Sequence, residues 1–97
     1  MHELTAFQRD LLVVMAGLEE PHGLLIKDEM EDYYDDEVNH GRLYPNLDSL
    51  AERGLVEKGR KDDRTNQYCL TRRAERKLEA RREWERQYTD TVVARIS

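Results

Sequence analysis

Two groups of side chains in this sequence have the types and spacing to recognise a polyanion. The first is Asn39, His40, Gly41, Arg42, Tyr44 and Asn46. An arginine offers a forked pair of donors to guanine, and an asparagine offers one donor and one acceptor to adenine. The second group is Lys58, Arg60, Lys61 and Arg64, followed by Thr65 and Asn66. Clustered cations suit phosphates or a minor groove, and the hydroxyl and amide beside them can hydrogen-bond a sugar–phosphate backbone. Asp62 and Asp63 dilute the charge of this second group, and Asn39 also has the form of a helix cap.

Other chemistry finds little support. His2, His22 and His40 form no metal-binding spacing, and Cys69 has no second cysteine with which to pair or share a zinc. A lone cysteine between Tyr68 and Leu70 is expected to be buried and inert. There is no glycine-rich phosphate loop, nucleophile elbow or carboxylate pair in an apolar setting. The expectation is a protein that is not an enzyme and carries no cofactor or metal.

The elements that would hold these groups can be read from periodicity. Thr5-Ala6-Phe7-Gln8 has the form of a capping box. Phe7, Leu11, Val14, Met15 and Leu18 then recur on one helical face, while Leu4, Leu12 and Val13 form a second patch suited to a partner subunit. After a break at Glu19–Gly23, a second helix is predicted from about Leu24 to Tyr34. Leu25 or Ile26, Met30 and Tyr33 should point inward, with Asp28, Glu31 and Asp32 in solvent. Asp35 to His40 reads as a polar turn. A third helix carries Leu43, Leu47 and Leu50 and ends at Gly54. Proline is tolerated in a first turn, so Pro45 predicts a start near Arg42–Tyr44, with Asn39 to Gly41 leading in.

Leu55–Lys58 and Gln67–Leu70 read as two strands of a hairpin, and Gly59 to Asn66 as its long polar loop. Thr71 caps a last, long helix on which Ala74, Leu78, Arg81, Trp84, Tyr88, Val92 and Ile96 share a narrow face. Such a stripe suits packing on one partner, with Trp84 as an anchor of large area. Three helices, a hairpin and a helix predict an α+β, mainly α fold: a winged helix-turn-helix with a C-terminal dimerisation helix. Residues 1–71 form the nucleic-acid-binding part and residues 72–97 the dimerisation helix. In this arrangement the third helix lies in the major groove of a duplex.

With 97 residues there is room for one domain with a thin core, which favours association. Charged residues make up 38% of the chain, well above an average domain. No apolar run is long enough for a membrane span, and no signal peptide is apparent, so a cytoplasmic location is expected. The net charge of −5 hides an asymmetry: residues 1–40 hold two basic groups against eleven acids, residues 41–86 thirteen against nine. Twelve of the sixteen cations are arginine. Such a carboxylate-rich, lysine-poor surface suits an organism living in concentrated salt.

Gly41-Arg42-Leu43-Tyr44-Pro45-Asn46-Leu47, then Leu50 and Gly54-Leu55-Val56, resembles the PadR family of transcriptional regulators. The likeness continues through Arg64-Thr65-Asn66-Gln67-Tyr68-Cys69-Leu70-Thr71 and is visible upstream at His22-Gly23-Leu24-Leu25-Ile26, so that it spans about residues 5 to 80. Leu24 stands where the family commonly has tyrosine, and Ala74 where a glycine often follows the Leu-Thr pair. With its acidic surface the chain looks like a haloarchaeal member. The resemblance implies a homodimeric winged-helix regulator, usually a repressor, on a palindromic operator in double-stranded DNA. It also implies an interface built from the last helix with the partner's first helix, here Leu4, Leu12, Leu78, Arg81, Trp84, Tyr88, Val92 and Ile96. Some family members sense flat aromatic compounds, which makes a small aromatic effector near Trp84 conceivable. The competing reading is a winged-helix interaction module that docks on another transcription component through its acidic first forty residues.

Overall fold

The computed structural model describes residues 1–19, 21–60 and 66–96. Its elements are α1 (Ala6–Ala16), α2 (Gly23–Tyr34), α3 (His40–Glu52), β1 (Val56–Arg60), β2 (Asn66–Leu70) and α4 (Arg72–Ile96). Four helices and one antiparallel hairpin make a mainly helical winged-helix fold, as the sequence predicts.

The capping box forms: the Gln8 amide donates to Thr5 Oγ1 (3.2 Å) and the Thr5 amide to Gln8 Oε1 (3.3 Å). Phe7, Leu11 and Met15 of α1 then pack on Ile26 and Met30 of α2 and on Leu43, Leu47 and Leu50 of α3. Leu55, Val56, Tyr68 and Ala74 close this core from the hairpin and α4. Tyr34, not Tyr33, turns inward from α2; its ring lies 6.0 Å from Phe7, while Tyr33 is exposed. The segment between α2 and α3 is not wholly polar in role, because Val38 is fully buried there.

The third helix starts earlier than Pro45 predicts. Asn39 is the N-cap, its side chain accepting the Arg42 amide at 2.8 Å, and helical structure begins at His40. Pro45 therefore sits in the second turn, inside the helix. The missing donor would have bonded the carbonyl of residue 41, which is a glycine at an exposed position of the helix. At the other end Gly54 adopts φ +75°, and the Gly54 and Leu55 amides bond back to Ala51 and Leu50. That turn delivers the chain straight into β1.

The hairpin pairs Val56 with Leu70 through to Arg60 with Asn66. It is longer at both inner ends than the predicted strands. Pro21 and His22, read from sequence as a simple helix break, also hold β2: Tyr68 donates its amide to the Pro21 carbonyl (2.9 Å), and His22 bridges to Gln67. Thr71 ties three elements together. Its hydroxyl donates to the Gly54 carbonyl (2.8 Å) and accepts the Ala74 amide (3.2 Å), and its amide bonds Leu55.

Candidate nucleic-acid interface

The exposed N-terminal end of α3 carries Asn39, His40, Gly41 and Arg42, four of the residues singled out from sequence. Asn39 is committed to capping through its side-chain oxygen. Arg42 is solvent-accessible, but its guanidinium rests 4.0 Å above the Phe7 ring of α1. One turn on, Asn46 faces the same way. It donates Nδ2–H to the Arg42 carbonyl at 2.7 Å and accepts from Gln8 Nε2 at 3.1 Å.

Tyr44 lies on the opposite flank, half-buried. Its ring stacks on His40 (5.4 Å, 21°) and tilts against Tyr68 of β2 (6.4 Å). Gly23, at the start of α2, leaves the space this ring occupies, since a Cβ there would meet Tyr44 Cζ at 2.9 Å. Tyr44 thus serves chiefly as packing that joins α3, α2 and the hairpin. The outward ridge between the two flanks is Gly41, Pro45, Asp48 and Glu52, all exposed. Its leading half is slim and neutral, its trailing half acidic.

On the hairpin, Lys58 stands opposite Tyr68 in register, with its ammonium 5.9 Å from the ring, and Asn66 is exposed at the start of β2. Arg60 lies at the end of β1; its side chain, together with Lys61, Arg64 and Thr65, is outside the described residues. The charge beside α3 is tempered by Glu31, which accepts the Val38 amide (2.8 Å) and Lys27 Nζ (3.0 Å). These two contacts, the backbone one foremost, hold its carboxyl below the usual range.

The face of α4 divides sharply. Ala74 is buried and Leu78 partly so, but Trp84 (49% exposed), Tyr88 (62%), Val92 (52%) and Ile96 (79%) form an apolar strip in solvent. Arg81 pairs with Glu85 (2.9 Å) and stacks over Trp84 at 4.7 Å, while Tyr88 meets Trp84 edge-on at 5.4 Å. Leu4 and Leu12, expected at a subunit interface, lie instead in the core of the single chain, at 4% and 0% exposure. Residue 12 belongs to the wide inner face of α1, and residue 4 folds under its first turn. Of that second patch Val13 alone is exposed, and it adjoins an apolar cleft of about 280 Å³ shared with Ala16, Leu78 and Arg82. Cys69 is exposed, contrary to expectation, because the strand alternation that buries Tyr68 turns its neighbour outward.

Among the described residues no three His, Cys, Asp or Glu side chains converge to hold a metal, and no helix is long and apolar enough to cross a membrane. Sequence reasoning missed Phe7, Gln8 and Gly23 as parts of this interface. The Thr-x-x-Gln motif flags Gln8, but only for its local role; its bond to Asn46 spans 38 residues and leaves no local trace.

A scan against family models matches residues 11–80 to the transcriptional regulator PadR-like family. The chain belongs to that family. RosR of H. salinarum, in a complex structure, is 46% identical, covering 96% of this chain and 91% of its own, with a TM-score of 0.83. RosR grown from NaBr superposes at 0.82 with the same identity, over 95% and 92%. A transcriptional regulator from Clostridium thermocellum shares the fold at 14% identity, over 93% and 92% of the two chains, with a TM-score of 0.65. No curated protein matches the chain. As a PadR-like protein this chain is a transcriptional regulator and not an enzyme, with a fold suited to binding DNA.

Proposed function

We propose that two copies of this PadR-like chain pair through α4 and bind a palindromic operator in double-stranded DNA, acting as a repressor in the cytoplasm of a salt-adapted archaeon. The observation that carries this reading is the open, capped N-terminus of α3, flanked by Arg42 on one side and by the hairpin bearing Lys58 on the other. Its free amides and dipole favour a phosphate, and His40, Gly41 and Arg42 sit where the floor of a major groove would lie. Residues 1–71 do the reading and residues 72–97 the pairing. Half-sites then fall about 34 Å apart, one turn of the duplex. The strip Trp84–Tyr88–Val92–Ile96, exposed among the described residues, supports the pairing, with Leu78 and Arg81 at its inner margin. Likeness to RosR and the arginine-rich, acidic composition support the salt-adapted origin. The acids between 28 and 37 are taken to face away from the duplex, except Glu31, whose bond to the Val38 amide keeps it beside the entry to α3.

The test is fluorescence anisotropy of the intact protein on duplexes selected from a random library. Reversing charge at Arg60, Lys61 and Arg64 abolishes DNA binding if the hairpin grips phosphates. If the same variant binds DNA unchanged and a transcription component still associates through the acidic first forty residues, the interaction-module reading replaces this one.

A second reading concerns Trp84. A cleft of about 490 Å³ lined by Met1, His2, Lys77, Ala80, Arg81 and Trp84 places two cations beside the indole. It would suit a flat aromatic effector, and quenching of Trp84 fluorescence by small aromatic acids tests it.

A further inference from the structure

Gln8 is the one polar side chain buried among the described residues, at 7% exposure. Its capping role needs only the oxygen; its nitrogen reaches across to α3. The bonds run in one direction, from the Thr5 amide to Gln8 Oε1, from Gln8 Nε2 to Asn46 Oδ1, and from Asn46 Nδ2 to the Arg42 carbonyl. A backbone N–H can only donate and a backbone carbonyl can only accept. The chain of bonds is therefore polarised from both ends, and neither amide can turn over without setting donor against donor or acceptor against acceptor. On the adjacent position of α1, the Phe7 ring holds the Arg42 guanidinium from below.

We propose that Gln8 is a specificity-determining positioning residue: it locks the amide orientation of Asn46 and so decides which base edge α3 accepts. This rests on the reading of α3 as the DNA-contacting helix. Held by the Arg42 carbonyl alone, Asn46 still swings about that one contact and aims its outward N–H and lone pair in several directions, and so tolerates several bases. The locked side chain keeps a single N–H and a single lone pair in fixed directions, a pattern matched by adenine in the major groove. Gln8 touches no base. It acts through Asn46 alone.

The experiment compares base preferences of the full-length protein by selection from random duplexes, with melting temperatures alongside. Gln8→Glu keeps the capping box, because its carboxylate still accepts the Thr5 amide, but sets an acceptor against Asn46 Oδ1. It should melt below the parent, because a buried carboxylate then faces Asn46 Oδ1, and lose roughly tenfold in discrimination at the position governed by Asn46. Gln8→Met, which removes both bonds at similar volume, should lose the same preference. Thr5→Ala should melt lower and keep the preference intact. In an Asn46→Ala background neither Gln8 variant should alter base preference further. Unchanged preferences in Gln8→Glu and Gln8→Met, or an equal loss in both backgrounds, would overturn the proposal. Failure of the unaltered protein to select any sequence defeats instead the reading of α3 beneath it.

Discussion

Tyr34 donates its hydroxyl to Asp10 at 2.7 Å, and burial followed by that carboxylate pushes its pKa from the ordinary 10.0 up to about 12. A raised acid keeps its proton longer in the folded state than in the unfolded one. The stability it contributes is present below pH 10 and is lost as pH rises through about 12. Thermal melts across that window should fall more steeply for the parent protein than for Tyr34→Phe. Glu31 works at the opposite end of the scale. Its carboxyl is lowered, so its contribution is present above the ordinary glutamate value of 4.5 and fades as pH drops below it. Glu31→Gln should melt below the parent protein at pH 7, and the gap should narrow at pH 3. The Tyr34–Asp10 and Glu31–Val38 contacts leave no local trace in sequence; the Lys27–Glu31 spacing of four does. Tyr33 and Tyr34 are neighbours of the same type, and it is the contact with Phe7 of α1 that marks the second as the inward one.

Most elements were legible because each is marked chemically at its ends. Thr5 and Gln8 start α1, Gly54 ends α3, and Thr71 starts α4. The start of α3 was misjudged because the general cost of an internal proline was applied at a site whose fourth preceding residue is an exposed glycine. Sequence left Tyr44 between a DNA contact and packing on the second helix; in the structure its ring fills the space left by Gly23. Alanine ordinarily gains about 1 kcal/mol over glycine within a helix. Gly23→Ala should instead destabilise by about 1–3 kcal/mol in denaturant melts, through overpacking against Tyr44. Tyr44→Leu in the same chain should recover most of that loss, which would show the ring to be the obstacle.

The whole molecule measures 50 × 29 × 24 Å, and its long dimension reflects a 25-residue helix whose outer turns leave the body. Pairing of two copies along that helix is expected to appear in light scattering as twice the mass of the 11.5 kDa chain. A Trp84→Ala/Tyr88→Ala variant should shift the mass toward the single chain and weaken DNA binding with it, since each half-site alone is a poor target. If the proposed salt adaptation holds, the screening length at ~1 M salt is about 3 Å, and contacts with the duplex would have to be close and direct. Fold class and family were readable from the alternation of helix and strand signals and from the Leu43-Tyr44-Pro45 run. The division of α1 between core and surface was not, since Leu4 and Leu12 differ from Val13 only in what the other helices cover.

The outward ridge of α3 has a consequence for how a duplex is met. Gly41 and Pro45 at the front present little more than main chain, whereas Asp48 and Glu52 at the rear repel a sugar–phosphate wall. On the proposed reading, a rod built this way meets the groove point-first with its stern lifted clear, and that tilt would set how far apart two paired subunits hold their tips.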